Sequence, residues 1–62
     1  VTDVARERYD KLKHDLANPL SAVLAETQVL LMGADQLDHD IVRSLREIEA
    51  NCRKMRDILQ RA

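Results

Sequence analysis

From Ile41 onward the apolar residues Ile41, Leu45, Ile48, Cys52, Met55 and Leu59 recur at steps of 4, 3, 4, 3 and 4. A half-buried strand needs strict alternation, so this run is readable only as a helix with a continuous a/d seam. The remaining positions carry Arg43, Arg46, Glu47, Glu49, Arg53, Lys54, Arg56 and Asp57, the composition of a solvated face. Glu49 stands one helical turn before Arg53, in the orientation that favours a surface ion pair. A second helical pattern precedes this one, with Val4, Leu12, Leu16, Leu20, Val23, Leu24, Val29, Leu30 and Leu31 as its apolar residues. The two are separated only by Met32-Gly33-Ala34-Asp35-Gln36. Gly33, the one glycine, stands where a left-handed C-terminal cap belongs. Asp35 or Asp38 can cap the following helix; with Asp38 as the cap, Leu37 and Val42 occupy the positions of a hydrophobic staple. Asp38 and Asp40 complement the positive end of that helix, and Arg61 the negative end.

These periods predict one all-α unit: a helix over about 3–32, a loop over about 33–37 and a helix over about 38–61, folded as an antiparallel hairpin. Thr2-Asp3 is either a cap on the first helix or part of a helix that enters from upstream. Composition closes off the alternatives. With one glycine, one proline and a single aromatic, Tyr9, the 62 residues lack the turn residues and aromatics of a sandwich or an α/β domain. Ten basic residues against eleven acidic ones give a net charge of -1, which argues against a dedicated nucleic-acid binder or a polybasic membrane anchor. The arginines of the second helix are interrupted throughout by acids, which leaves an RNA-binding face a minor alternative. No apolar run approaches the ~18 residues of a membrane span, so no membrane contact is expected in this segment. Cys52, the lone cysteine, excludes an internal disulfide and reads as a small hydrophobe in the seam. Met32 and Met55 read as packing residues, and His39 as a surface histidine beside Asp38 and Asp40.

A hairpin of this length has an unsolved packing problem. Each apolar stripe is wider than one seam: Leu24 and Leu31 lie beside the Leu16–Val23–Leu30 line, and Ile58 lies beside Leu59. Two helices cover only one side of each other, and domains this small are marginal without an external contribution to the core. The simplest completion is a second copy, giving a homodimeric four-helix bundle.

The segment with chemical content is His14-Asp15-Leu16-Ala17-Asn18-Pro19-Leu20. Asn is a good N-cap and Pro suits the first helical position, so one reading is two helices joined at Asn18. However, the apolar phase runs through the proline from Leu12 to Leu30 with no loop residues between, which favours a single helix bent at Pro19. A mid-helix proline removes a hydrogen bond and clashes with the carbonyl four residues back, that of Asp15, at about 3 kcal/mol. On such a helix His14, Asn18, Ser21 and Ala25 form one polar or small line, off the leucines, which directs His14 outward. An imidazole suits transient phosphoryl carriage, having a nitrogen nucleophile near neutral pH and a second nitrogen that a carboxylate can hold. Asp15 is the nearest carboxylate, and Asn18 can hydrogen-bond a water or a phosphoryl oxygen without adding charge.

This heptapeptide resembles the H-box of two-component sensor histidine kinases, His-Glu/Asp-Leu-x-Thr/Asn-Pro-Leu. In its long first helix, short loop and heptad second helix, essentially the whole chain resembles the HisKA-type dimerisation and histidine-phosphotransfer domain. The resemblance implies that His14 takes the γ-phosphoryl of ATP on its ε nitrogen and passes it to an Asp of a response regulator. Asp15 matches the acidic position that acts on the δ nitrogen as hydrogen-bond partner and general base. Asp replaces the commoner Glu there and reaches one methylene less. Asn18 matches the position that orients water for dephosphorylating the regulator, and Pro19 the bending proline that serves as a structural switch. His14, Ala17, Ser21, Ala22 and Ala25 would form the regulator-docking surface, where small residues allow close approach. The chain has no Gly-rich ATP lid and no Asn-containing nucleotide box, so ATP and Mg²⁺ would be handled by a separate catalytic domain and the fragment alone would be inactive. The resemblance places the segment in the cytoplasm, whether or not the parent protein carries a membrane anchor. Two other readings stay open: a stand-alone histidine phosphotransferase, and a purely structural helical-hairpin dimer.

Overall fold

The computed structural model describes residues 2–62, with side chains from Asp3 onward. The side chain of Thr2, half of the possible first cap, lies outside the described residues. Two α-helices, α1 (Thr2–Leu31) and α2 (His39–Arg61), flank a single 3-10 turn at Ala34–Gln36. The expected boundaries hold to within one residue at each helix end, and among the described residues there is no strand.

Pro19 sits inside one uninterrupted α1, as the unbroken apolar phase required. Asn18 is therefore an interior helical residue rather than a cap. Gly33 departs from expectation. It has φ −102° and ψ 27°, and no positive φ occurs among the described residues. The chain does not need one, because α1 ends by tightening. The Met32 N–H donates to the carbonyls of both Gln28 and Val29, at 3.1 and 3.2 Å, and the Gly33 N–H donates to that of Leu30 at 3.2 Å. Two further i→i+3 bonds follow, Gln36 N–H to the Gly33 carbonyl and Leu37 N–H to the Ala34 carbonyl. The orphan carbonyls at the helix end are thus partly satisfied without a left-handed residue.

Asp38 takes the N-cap position of α2 with extended φ −60° and ψ 148°, and its carbonyl accepts the Val42 N–H at 3.0 Å. Its carboxylate makes no capping bond, so its contribution is to the helix dipole. At the other end Arg61 donates from Nε to the Asp57 carbonyl at 3.3 Å. The Glu49–Arg53 pair forms at 3.5 Å.

The heptad seam of α2 divides between two faces. Leu45, Cys52 and Leu59 turn toward α1, joined by Val42, Glu49 and Arg56 in the same register. Opposite them on α1 lie Lys13, Ala17, Leu20, Leu24, Thr27 and Leu31, again at steps of 4 and 3. Only Leu24, Thr27 and Cys52 are fully buried. The Thr27 hydroxyl is satisfied within its own helix, donating to the Val23 carbonyl at 2.7 Å. The other half of each stripe stays uncovered: Leu12, Leu16, Val23 and Leu30 on α1, and Ile41, Ile48, Met55 and Ile58 on α2. The Leu16–Val23–Leu30 line is thus the open one, and the Leu24–Leu31 line beside it makes the hairpin core.

Two bulk quantities describe the same incompleteness. The chain exposes 5255 Å², whereas a compact monomer of 7.1 kDa exposes about 4,100 Å². Its radius of gyration is 15.4 Å, against about 10.6 Å for a globule of 62 residues. The molecule is a rod of 54 × 14 × 12 Å. Among the described residues no helix is long and apolar enough to cross a membrane.

Candidate functional site

His14 lies in the first half of α1, one turn before Asn18 and Pro19, and its side chain is exposed, as its position off the leucine stripe requires. Asp15, Asn18, Ser21, Ala22 and Ala25 are also exposed, and Ala17 is half-buried at the edge of the hairpin seam. His14, Asn18, Ser21 and Ala25 follow one another at steps of 4, 3 and 4 along the unbroken helix, so they share one outward face.

Asp15 has a partner other than the imidazole. Its carboxylate accepts a hydrogen bond from Lys11 Nζ at 2.9 Å, an i,i+4 ion pair between two exposed side chains. Residues adjacent on a helix diverge by about 100°, so His14 and Asp15 do not face each other from their backbone positions alone. An exposed pair of this kind is worth less than about 1 kcal/mol, which leaves the carboxylate available to exchange partners.

Beside His14 the two helices leave a groove of about 450 Å³. The α1 wall contributes Asp10, Lys13, His14, Ala17, Leu20 and Ser21, and the α2 wall contributes Arg56, Leu59 and Gln60. Ala17, a small residue, and Arg56, a charged one, hold seam positions in its lining. Its floor is apolar and its rim carries the imidazole, a hydroxyl, an amide and three charges. Lys13 Nζ stands 5.7 Å from the centroid of the Tyr9 ring, a cation–π contact that anchors the side chain one turn above His14.

Arg56, Gln60, Lys13 and Asp10 were not singled out from sequence as site residues. The available signal was the 3-4-3 run Glu49, Cys52, Arg56, Leu59, which places Arg56 on the inner face. Thr27 was likewise not legible as a core residue, because a threonine among leucines carries no apolar signal. His39, at the opposite end of α2, lies beside Val42, Arg43, Arg46 and Glu47 in a shallow depression of that helix. Arg56 lies seventeen positions further along, about 25 Å of helix.

No family model, curated protein or solved structure matches this chain.

Proposed function

We propose that this chain is the phosphoacceptor and dimerisation domain of a sensor histidine kinase, with His14 as the residue that carries the phosphoryl group. The observation that supports this most is the exposure of His14, Asn18 and Ser21 along one face of an unbroken helix, at the mouth of the interhelical groove.

In the proposed reaction a ring nitrogen of His14 attacks the γ-phosphorus of ATP held by a separate catalytic domain. A P–N bond forms, the bond from phosphorus to the bridging oxygen breaks, and ADP leaves with that electron pair while the imidazole loses its N–H proton. Asp15 would leave Lys11 to hold the other ring nitrogen and stabilise the imidazolium as charge develops. In the second transfer a carboxylate oxygen of the regulator's Asp attacks the same phosphorus, the P–N bond breaks and the imidazole regains a proton. Asn18 would orient the water that later hydrolyses the regulator's acyl phosphate. The exposed Ala22 and Ala25, with Ala17 and Ser21, admit a partner's backbone to this face. Pro19, which leaves the Asp15 carbonyl without its helical donor, would be the point at which upstream helix movements change the presentation of His14.

The dimer is the second half of the proposal. The surface in excess of a compact monomer is about 1,100 Å² per chain, comparable to the ~800 Å² that each partner buries in a standard interface. The open stripe of Leu12, Leu16, Val23, Leu30, Ile41, Ile48, Met55 and Ile58 runs along both helices, the geometry of a half-bundle awaiting its copy.

The test is phosphorylation by the parent protein's catalytic domain with ATP and Mg²⁺. The wild-type chain should acquire an acid-labile, base-stable phosphate that His14→Gln abolishes. Undiminished labelling of His14→Gln would remove the assignment.

A further inference from the structure

Arg56 is a charged residue at a position whose register belongs to the core. Its neighbours in that register, Cys52 and Leu59, are buried and half-buried, and Arg56 itself is half-buried. Several neighbouring charges have partners within their own helix. Lys11 pairs with Asp15, Arg53 pairs with Glu49, and Lys13 lies at the Tyr9 ring. Among the described residues Arg56 joins no ion pair, and it lines the same groove as His14. Asp10, the one acid of that groove, is one turn from His14 and makes no ion pair with Arg56. A guanidinium presents a planar fork of donors matched to phosphoryl oxygens, and its apolar stem can lie over a groove floor such as Leu20 and Leu59.

We propose that Arg56 is a phosphoryl-binding residue: its guanidinium hydrogen-bonds the oxygens of the phosphoryl group arriving at, and then attached to, His14. This rests on the reading of His14 as the acceptor and assigns α2 a part in the chemistry. The phosphoryl group brings about two negative charges to a groove whose fixed charges are Lys13, Arg56 and Asp10. Arg56 supplies a cation from α2, the helix that forms the other wall of the groove that His14 lines. Ala17, in the same lining, adds no bulk beyond its methyl group.

A small-molecule donor separates this inference from the proposed kinase function, because it needs no catalytic domain. Phosphoramidate transfers its phosphoryl group to histidine: the ring nitrogen bonds to phosphorus, the donor's P–N bond breaks, ammonia leaves with the electron pair, and the ring N–H proton passes to water. His39, about 25 Å away along α2, is an internal reference in the same chain. Charge-assisted hydrogen bonds of this kind correspond to about a tenfold rate change or more. Arg56→Met, which keeps the apolar stem, should therefore lower the initial His14:His39 labelling ratio by about tenfold, and Arg56→Lys should keep it within about threefold. In ¹⁵N-labelled wild type, phosphorylation should shift the Arg56 Nε–H resonance, and in His14→Gln it should not. An unchanged labelling ratio in Arg56→Met, or an Arg56 resonance that ignores His14 phosphorylation, overturns the inference whether or not a kinase uses His14. Kinase labelling that fails while the phosphoramidate ratio still depends on Arg56 would instead refute the kinase reading and keep the phosphoryl site.

Discussion

Ile48 offers the sharpest test of the proposed dimer, because it lies midway along α2 on the open stripe, between Ile41 and Met55. It is 42% exposed in the single chain. Full burial of such a side chain is worth about 1.5–3 kcal/mol, so covering the exposed part contributes about 0.6–1.3 kcal/mol per copy. A two-fold symmetric dimer contains the residue twice, which makes the total about 1.3–2.5 kcal/mol. At about 1.4 kcal/mol per decade, Ile48→Ala should raise the dimer Kd by about 8- to 60-fold. Sedimentation equilibrium over a concentration series measures this, with helix content followed by circular dichroism on the same samples. Ile48→Asp, which buries a charge at the same point, should give a larger loss. Leu24→Ala is the contrasting variant. Leu24 is 7% exposed and faces α2, so its truncation should lower thermal stability by about 2–5 kcal/mol through the hairpin's own core. A Kd that Ile48→Ala leaves within threefold of wild type would refute the assignment of this stripe to the dimer, as would a wild-type chain that sediments as a folded monomer at every micromolar concentration.

Gly33→Ala should raise the melting temperature by about 2–8 °C, because φ −102° suits any L-residue and the nearest atom to an added Cβ is the Leu30 carbonyl oxygen at 3.9 Å; a lower melting temperature would mean that the loop needs a left-handed residue after all. Asn18→Ala should slow regulator dephosphorylation by at least about tenfold while His14 phosphorylation stays within about threefold. Equal loss of both activities would assign Asn18 to folding, not to chemistry. Pro19→Ala should stabilise the helix, since it restores a donor to the Asp15 carbonyl, and should change the ratio of kinase to phosphatase activity; an unaltered ratio would remove the switch role.

The helical hairpin was legible because its signals agree at every level. Heptad spacing, a single short break and an absence of strand formers all point to two helices, and Pro19 falls inside one of them because the leucine phase never resets. What periodicity could not tell was which half of each wide stripe faces its own partner. Leu16, Val23 and Leu30 form as regular a line as Leu24 and Leu31, and only the packing of α2 decides between them. The cap at Gly33 was misread for a related reason. Glycine permits a left-handed end, but a 3-10 tightening through Met32 and Gly33 satisfies carbonyls of α1 as well. Within the site, the exposure of His14 followed from its place off the stripe, whereas the Lys11–Asp15 pair has the i,i+4 spacing of Glu49–Arg53 but with the basic residue first, the less favoured order. Arg56 was hidden by its charge. A basic residue on a charged helix reads as solvated until the opposing helix shows that its register points inward.

The proposed residence of phosphorus on one imidazole is decided by locating the phosphate on the chain after reaction with the parent catalytic domain, ATP and Mg²⁺. Tandem mass spectrometry at neutral to mildly basic pH, with ³¹P NMR of the intact sample, distinguishes the two histidines. Phosphate is expected on His14 alone. Phosphate on His39, on a hydroxyl such as Ser21, or on no residue would contradict it.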